Sequence, residues 1–217
     1  NGTFRIHAVA KDKEGNAVAL TTTIESWYGS KIVVEGAGFL LNNEMGDFNP
    51  VPGVTDESGR IGTKANLVAP GKRMLSNMCP TIIARDGKPR LVIGCPGGRT
   101  IPNTVLQVVL NALDFRMDIA RAIARPRIHH QWLPDVTDFE PGAFSQESLV
   151  DYRGMGHAAR PDKSLGANDA MGIWIDPRTG DRKEAGEPRG RGTLSFTTPP
   201  GWEDALLLLR ADPGGSR

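Results

Sequence analysis

The feature that most constrains the fold of this chain is a pair of strand-like segments at its beginning. Residues 3–10 alternate apolar and polar side chains, and residues 17–26 form a second, Thr-rich segment. The polar turn between them carries Gly15, a residue that tolerates positive φ. An alternation with a period of two predicts β-strands, so an antiparallel hairpin is expected here. Further hairpins are predicted over residues 80–94, around an Asp86-Gly87 turn signal, and over residues 170–185.

Helical patterns lie between these hairpins. Apolar residues from Pro102 to Asp114 recur at helical spacing, and shorter helices are predicted over 118–124 and 145–153, the last with Ser145 as its N-cap. The order of strands, helices and strands is typical of an α+β layered architecture. A connection of polar, Pro and Gly residues over 49–72 is long enough to suggest either a functional lid or disorder.

Composition excludes several classes of function. The formal net charge of the 217 residues is +1 and the charges are scattered, so no basic surface for nucleic acid is predicted. The apolar runs fall far short of the roughly 20 residues that a membrane-spanning helix needs. No secretory signal peptide is visible in the sequence.

The cysteines and histidines do not predict a metal site. The four histidines lack metal-binding spacing, so neither a metal nor a cofactor is expected. Two cysteines, Cys79 and Cys95, are too few for a disulfide framework. They are interpreted as small buried apolar residues, with a catalytic Cys–His pair as the alternative.

Seven segments carry a resemblance to a known family. From Lys11 onward the chain resembles the small catalytic subunit of the γ-glutamyltranspeptidases, and the matching segments occur in the family's order over roughly residues 7–190. They are GNAV (15–18), TTTIE (21–25), LLNNEMGDF (40–48), PGKR (70–73), LSNMCPTI (75–82), GCPGG (94–98) and HHQWLP (129–134).

The resemblance implies a fold and a partner. The fold would be the αββα sandwich of N-terminal nucleophile hydrolases, completed by a separate large subunit cut from the same precursor. The location would be periplasmic or extracellular. The reaction would be cleavage of γ-glutamyl amide bonds, as in glutathione, through an acyl-enzyme that passes its acyl group to water or an amine. The backbone N–H groups of Gly97 and Gly98 would stabilise the oxyanion.

The nucleophile is the main departure from the family pattern. In the family an N-terminal threonine attacks the substrate while its own free amine takes the proton. Counting back from Gly15 without gaps places that residue at Arg5, which cannot attack a carbonyl. Cleavage between Gly2 and Thr3 would instead make Thr3 the nucleophile, since a shift of two residues keeps a side chain on the same strand face. The alternative is that no such nucleophile remains.

The resemblance also assigns a substrate-binding set. The carboxylates of Glu44 and Asp47 would hold the α-amino group, and Ser76 with Asn77 would bind the α-carboxylate, although the family has serine at the position of Asn77. Thr23 would orient the nucleophile. Glu25 lies two residues further along the same strand; many family members have Asn there, and Glu occurs in a branch resembling poly-γ-glutamate capsule depolymerase.

These expectations leave three functions open. The first is a γ-glutamyltransferase or hydrolase, in which residues 1–192 form the small subunit. The second is a catalytically inactive relative that serves as a binding or assembly partner. The third is an acylase with a different acyl donor, such as polyglutamate or a β-lactam side chain. Residues 193–217 extend beyond the resemblance, and the run Leu206 to Leu209 is compatible with a short docking helix or a disordered end.

Overall fold

The structure is a computed structural model that describes residues 3–11, 14–26, 28–49, 51–167, 169–189, 195–196 and 206–211. For residues 3–11, 166–167, 195–196 and 206–211 it describes the backbone alone. The strands are β1 (Thr3–Lys11), β2 (Ala17–Ser26), β3 (Val33–Val34), β4 (Phe39–Leu40), β5 (Thr81–Arg85), β6 (Lys88–Gly94), β7 (Ile128–His129), β8 (Thr137–Phe139), β9 (Ala159–Pro161), β10 (Met171–Ile175), β11 (Arg182–Gly186), β12 (Ser195–Phe196) and β13 (Leu206–Ala211). The helices are α1 (Ile101–Leu113), α2 (Ile119–Ala124) and α3 (Gln146–Gly154).

Two four-stranded antiparallel sheets lie against each other. The first has the order β12-β13-β1-β2 and the second the order β11-β10-β6-β5. Strands β1 and β2 contact the second sheet. Buried Val92, Met171 and Ile173 of the second sheet pack against Ala17 and Ala19 of β2. The small alanines let the two sheets approach, which fixes β2 above β6.

Helices α1 and α2 cover the other face of the second sheet. Leu91 and Ile93 of β6 point toward Val105 and Val108 of α1 and Ile123 of α2, and all of them are buried. Strand β6 is therefore apolar on both faces, because Val92 points to the first sheet and its neighbours point to the helices. Mixed α and β structure in layers, as the sequence predicted, is confirmed.

Local signals in the sequence correspond to the observed elements. The three predicted hairpins are β1–β2, β5–β6 and β10–β11. Ser145 caps α3, and its Oγ accepts a hydrogen bond of 3.0 Å from the backbone N–H of Ser148. Among the described residues, no helix is both long and apolar enough to cross a bilayer.

The C-terminal region contributes a strand to the first sheet. Residues 206–211 form β13, which pairs with β1 from Ile6 opposite Ala211 to Lys11 opposite Leu206. The run Leu206 to Leu209 therefore lies in a strand, and its interpretation as a docking helix or a disordered end is wrong. Pro199, Pro200 and Trp202 lie outside the described residues.

A buried ion network joins the residues that follow β11 to the small sheet β7-β8-β9. Arg127, whose side chain is 3% exposed, pairs with the fully buried Glu187. Arg189 donates from Nε to Glu187 Oε1 and from Nη1 to Glu140 Oε2, both at 2.6 Å. Both arginines also donate to the carbonyl of Ile123 at the end of α2. Although burial opposes the charge on Arg189, the hydrogen bonds and negative charges of Glu187 and Glu140 raise its pKa.

Candidate active site

A small cavity of about 40 Å³ lies where the end of β2, a 3₁₀ turn at Glu44–Asp47, the segment before β5 and the start of α1 meet. Most of the predicted site residues line it together, although they come from four separate parts of the sequence. These residues are Thr23, Glu25, Glu44, Asp47, Ser76, Asn77 and Gly98.

The two remaining predicted residues lie next to this group along the chain or the sheet. Gly97 directly precedes Gly98. The backbone of Thr3 opens β1 and pairs with Ser26, whereas Arg5 pairs with Thr23. The side chain of Thr3 and the Gly2–Thr3 bond lie outside what the structure describes, so the nucleophile stays a prediction.

A bulge interrupts the pairing of β1 with β2 beside the cavity. Thr3 pairs with Ser26 and Arg5 with Thr23, so β2 has one residue more than β1 over this stretch. Glu25 lies in this stretch with φ at +67°, the left-handed region that costs a residue with a Cβ about 1–2 kcal/mol. The backbone N–H of Glu25 donates to Thr23 Oγ1 at 2.9 Å. The bulge, and not the simple alternation of a regular strand, therefore brings Thr23 and Glu25 to the same cavity.

Replacing Glu25 by asparagine is expected to stabilise the protein by about 0.5–1 kcal/mol, because asparagine tolerates positive φ better than glutamate does. Denaturant midpoints of wild type and variant give the measurement. Glu25→Gln is the matched control, since it removes the charge and keeps the unfavourable backbone conformation. Equal midpoints for the Asn and Gln variants would show that the left-handed conformation is not the source of the gain.

Asn43 holds the 3₁₀ turn against the end of β2. Its Oδ1 accepts from the backbone N–H of Ser26, and its Nδ2 donates to Ser26 Oγ, both at 3.0 Å. Its own N–H donates to the carbonyl of Ile24 at 3.3 Å. These three bonds place Glu44 and Asp47 beside Glu25, which the order of residues in the sequence did not reveal.

Glycine at position 46 leaves room for the carboxylate of Glu25 beside this turn. A Cβ at Gly46 would lie 2.6 Å from Glu25 Oε1, well inside the van der Waals limit. Glu25, Glu44 and Asp47 thus bring three half-buried carboxylates to one wall. Carboxylates grouped in this way attract a cation, and an ammonium group can donate a hydrogen bond to each of them.

Asn66 is a positioning residue that the sequence did not identify. Its Nδ2 donates to the carbonyl of Asp47 at 2.7 Å, and its Oδ1 accepts from the backbone N–H of Leu75 at 2.9 Å. One side chain in the long connection therefore joins the Asp47 turn to the segment that carries Ser76 and Asn77. The only sequence signal was the position of an Asn in an otherwise unpatterned connection.

The glycine pair forms a sharp turn into α1. Gly97 and Gly98 have φ values of 139° and 61°. Thr100 Oγ1 donates to the carbonyl of Gly97 at 2.7 Å and fixes this turn. Backbone N–H groups before a helix start are oriented to receive negative charge, so the pair is suited to an oxyanion.

His129 and Cys95 are buried and have packing contacts, whereas Cys79 is only partly buried. His129 is buried, with Nδ1 accepting from Asn103 Nδ2 at 3.1 Å and Nε2 donating to Gln131 Oε1 at 2.9 Å. Cys95 is 1% exposed, and its Sγ lies 3.8 Å from the carbonyl of Ile101. A thiol buried in this way supports packing over a Cys–His catalytic pair. Within the described part of the chain, no group of three His, Cys, Asp or Glu side chains is arranged to hold a metal ion.

The connection between the 3₁₀ turn and β5 forms one wall of a second, larger cavity of about 610 Å³. Within this connection, the carboxylate of Asp56 accepts hydrogen bonds from Ser58 Oγ and Arg60 Nε, both at 2.6 Å. The Ser58 hydroxyl and then the Arg60 guanidinium hold the pKa of Asp56 at about 2. The Asp56–Arg60 pair is therefore charged at any pH above about 4.

Known proteins that are similar to this chain point to one family. A family model described as Gamma-glutamyltranspeptidase matches residues 2–197. The chain is 43% identical over 189 residues to the glutathione hydrolase proenzyme of Escherichia coli, covering 87% of this chain and 32% of that relative. It spans about a third of the length of this relative and of the glutathione hydrolase proenzyme of Pseudomonas aeruginosa.

Solved structures agree with the fold. The T380A mutant of the Helicobacter pylori gamma-glutamyltranspeptidase is 40% identical, with a TM-score of 0.73 over 84% of this chain and 98% of that chain. The Bacillus anthracis transpeptidase enzyme CapD is 23% identical, with a TM-score of 0.63 over 88% of this chain and 99% of that one, which supports the fold alone.

Proposed function

Because this chain belongs to the gamma-glutamyltranspeptidase family, we propose that it is the small subunit of an enzyme that cleaves γ-glutamyl amide bonds and passes the acyl group to water or an amine. The observation that carries the proposal is the convergence of Glu25, Glu44 and Asp47 beside the Gly97-Gly98 turn. A cation-binding wall next to an oxyanion site fits a γ-glutamyl group, whose α-ammonium lies a short distance from its γ-carbonyl.

The chemistry follows from these groups once Thr3 has a free amine. Thr3 Oγ1 attacks the γ-carbonyl carbon while the amine of the same residue takes the hydroxyl proton. The backbone N–H groups of Gly97 and Gly98 stabilise the oxyanion until the C–N bond breaks. The leaving nitrogen receives the proton, and water or an amine then cleaves the resulting ester and returns a proton to Thr3. Thr23 orients the attacking hydroxyl.

Recognition of the glutamyl group would use both sides of the small cavity. Glu44 and Asp47, with Glu25 beside them, would bind the α-ammonium through charge-assisted hydrogen bonds. Ser76 and Asn77 would donate to the α-carboxylate from their hydroxyl and amide groups. The cavity of about 40 Å³ is too small for the whole group, which is consistent with further walls from a second subunit.

A large subunit from the same precursor is part of the proposal. Val18 and Leu20 lie on the face of β2 opposite Ala17 and Ala19, and they are 53% and 51% exposed. Exposed apolar residues on a sheet face favour a covering layer of structure. Helices of the large subunit on this face would complete the αββα sandwich.

An inactive relative is the second candidate, and one observation favours it. Arg5, not a threonine, lies opposite Thr23 in the β1–β2 register, where an ungapped comparison with the family places the nucleophile. If Thr3 does not act, the chain would be a binding or assembly partner that keeps the substrate wall.

Incubating the whole protein with a glutamine-mimicking diazo-ketone and locating the adduct by peptide mass distinguishes the two candidates. The expected result is an adduct on Thr3, in a chain from which Asn1 and Gly2 are missing. A folded protein that binds glutamate but yields no adduct would contradict the enzyme proposal and favour the binding partner. An adduct on Cys79 or Cys95 would replace Thr3 with a thiol nucleophile.

A further inference from the structure

Two cavities with different charged side chains on their walls lie side by side in this chain. The small cavity has carboxylates on its wall, whereas the larger one, of about 610 Å³, is lined by Arg60, Arg99 and His130. Asp47 and Asn77 line both and form the partition between them. The larger cavity has a volume within the range of small-molecule sites.

The oxyanion turn lies at the boundary of the two cavities. Gly98 lines the small cavity, and the next residue, Arg99, lines the large one. A substrate whose reacting carbonyl binds at Gly97-Gly98, with its ammonium toward Glu44 and Asp47, therefore has its leaving part on the side of Arg99.

Arg99 has the donors to bind an anion. Its Nη1 donates to the carbonyl of Gly59 at 3.3 Å, which holds the guanidinium at the cavity wall. Among the described residues, no carboxylate lies within salt-bridge distance of it. An arginine has five N–H donors in a planar fork that matches a carboxylate, so most of its donors remain for a ligand.

The other two basic side chains already have acidic partners. Arg60 pairs with Asp56, and His130 Nε2 lies 3.0 Å from Asp135 Oδ1. Arg60 is therefore less available than Arg99 to an anionic ligand. The ring of Trp132, which is 59% exposed, adds apolar surface to the same cavity.

We propose that the larger cavity binds the leaving part of a γ-glutamyl substrate through a free carboxylate held by Arg99. The ligand class is an amino acid or short peptide that ends in a carboxylate. This inference rests on the proposed function, because that function places the scissile bond at the glycine pair.

The test compares two substrates that differ only in this charge. The whole protein, with both chains, is given γ-glutamyl-alanyl-glycine or its C-terminal amide, and kcat/KM is measured for each. The wild type is expected to prefer the free acid by roughly 10-fold or more, the size of one charge-assisted contact. In Arg99→Gln this ratio should fall to about 1, and in Arg99→Lys it should be intermediate, because charge remains without the fork.

An exposed arginine outside both cavities serves as the control. Arg85 in the β5–β6 turn is 82% exposed and touches neither cavity, so Arg85→Gln should keep the wild-type ratio. A ratio near 1 in the wild type, or an unchanged ratio in Arg99→Gln, overturns the inference and leaves the proposed function standing.

If neither substrate is cleaved, the proposed function fails, and calorimetric titration then decides the anion site. Alanyl-glycine should bind the wild type more tightly than alanyl-glycinamide does, and Arg99→Gln should abolish the difference. Equal or absent binding of the two dipeptides overturns the inference.

Discussion

Thr3→Ala is expected to lower kcat/KM for γ-glutamyl amide hydrolysis by roughly 10³-fold or more, because it removes the atom that forms the acyl-enzyme. The loss should be mainly in kcat, since the proposed binding of the α-ammonium by Glu44 and Asp47 does not involve Thr3. The same variant should stay uncleaved between Gly2 and Thr3, which a denaturing gel of the expressed precursor shows. Thr3→Ser should keep measurable activity because it keeps a hydroxyl.

Thr179→Ala provides the matched control for this substitution. Thr179 lies in the turn between β10 and β11, is exposed, and lines neither cavity. The control should keep wild-type activity and processing. Wild-type rates in Thr3→Ala would exclude Thr3 as the nucleophile and, with it, the mechanism derived above.

Glu187→Gln is expected to lower the free energy of unfolding by about 3 kcal/mol, because removing one partner of a buried ion pair leaves uncompensated charge. Glu187 is fully buried and forms ion pairs with both Arg127 and Arg189. The neutral amide would leave these two guanidinium groups with one carboxylate, that of Glu140. A shift of the denaturant midpoint at constant slope measures the loss.

Glu184→Gln is the control for the ion network. Glu184 lies three residues earlier on β11 and is exposed, so the same chemical change should alter stability by less than about 0.5 kcal/mol. Equal midpoints for the two variants would mean that the ion network adds nothing to the free energy of unfolding and only orients the chain.

The sequence predicted the elements well because their signals are local. The Asp86-Gly87 turn, the Ser145 cap and the apolar spacing of α1 each depend on a few neighbouring residues. Leu206 to Leu209 could not be assigned, since a short apolar run fits a strand or a helix and only its pairing with β1 decides.

The sequence motifs predicted which residues lie together around the small cavity, but not how they are arranged there. The family-like motifs indicated the carboxylates and the glycine pair, yet the positive φ of Glu25 breaks the period of two on which strand faces are assigned. Asn66 and the network around Glu187 depend on side chains that meet across long separations in sequence. No local sequence pattern indicates such long-range contacts.

The arrangement of β13 gives the two ends of β1 different hydrogen-bonded pairing. From Ile6 to Lys11 the strand is paired on both sides, by β2 and by β13, whereas the described pairing at Thr3 is with β2 alone. Amide protons in the doubly paired part should exchange slowly with solvent, and those near Thr3 should exchange faster. In the described part of the chain, β1 is thus paired on both sides over most of its length and on one side at Thr3, so the proposed cleavage there would not require β1 to separate from β13.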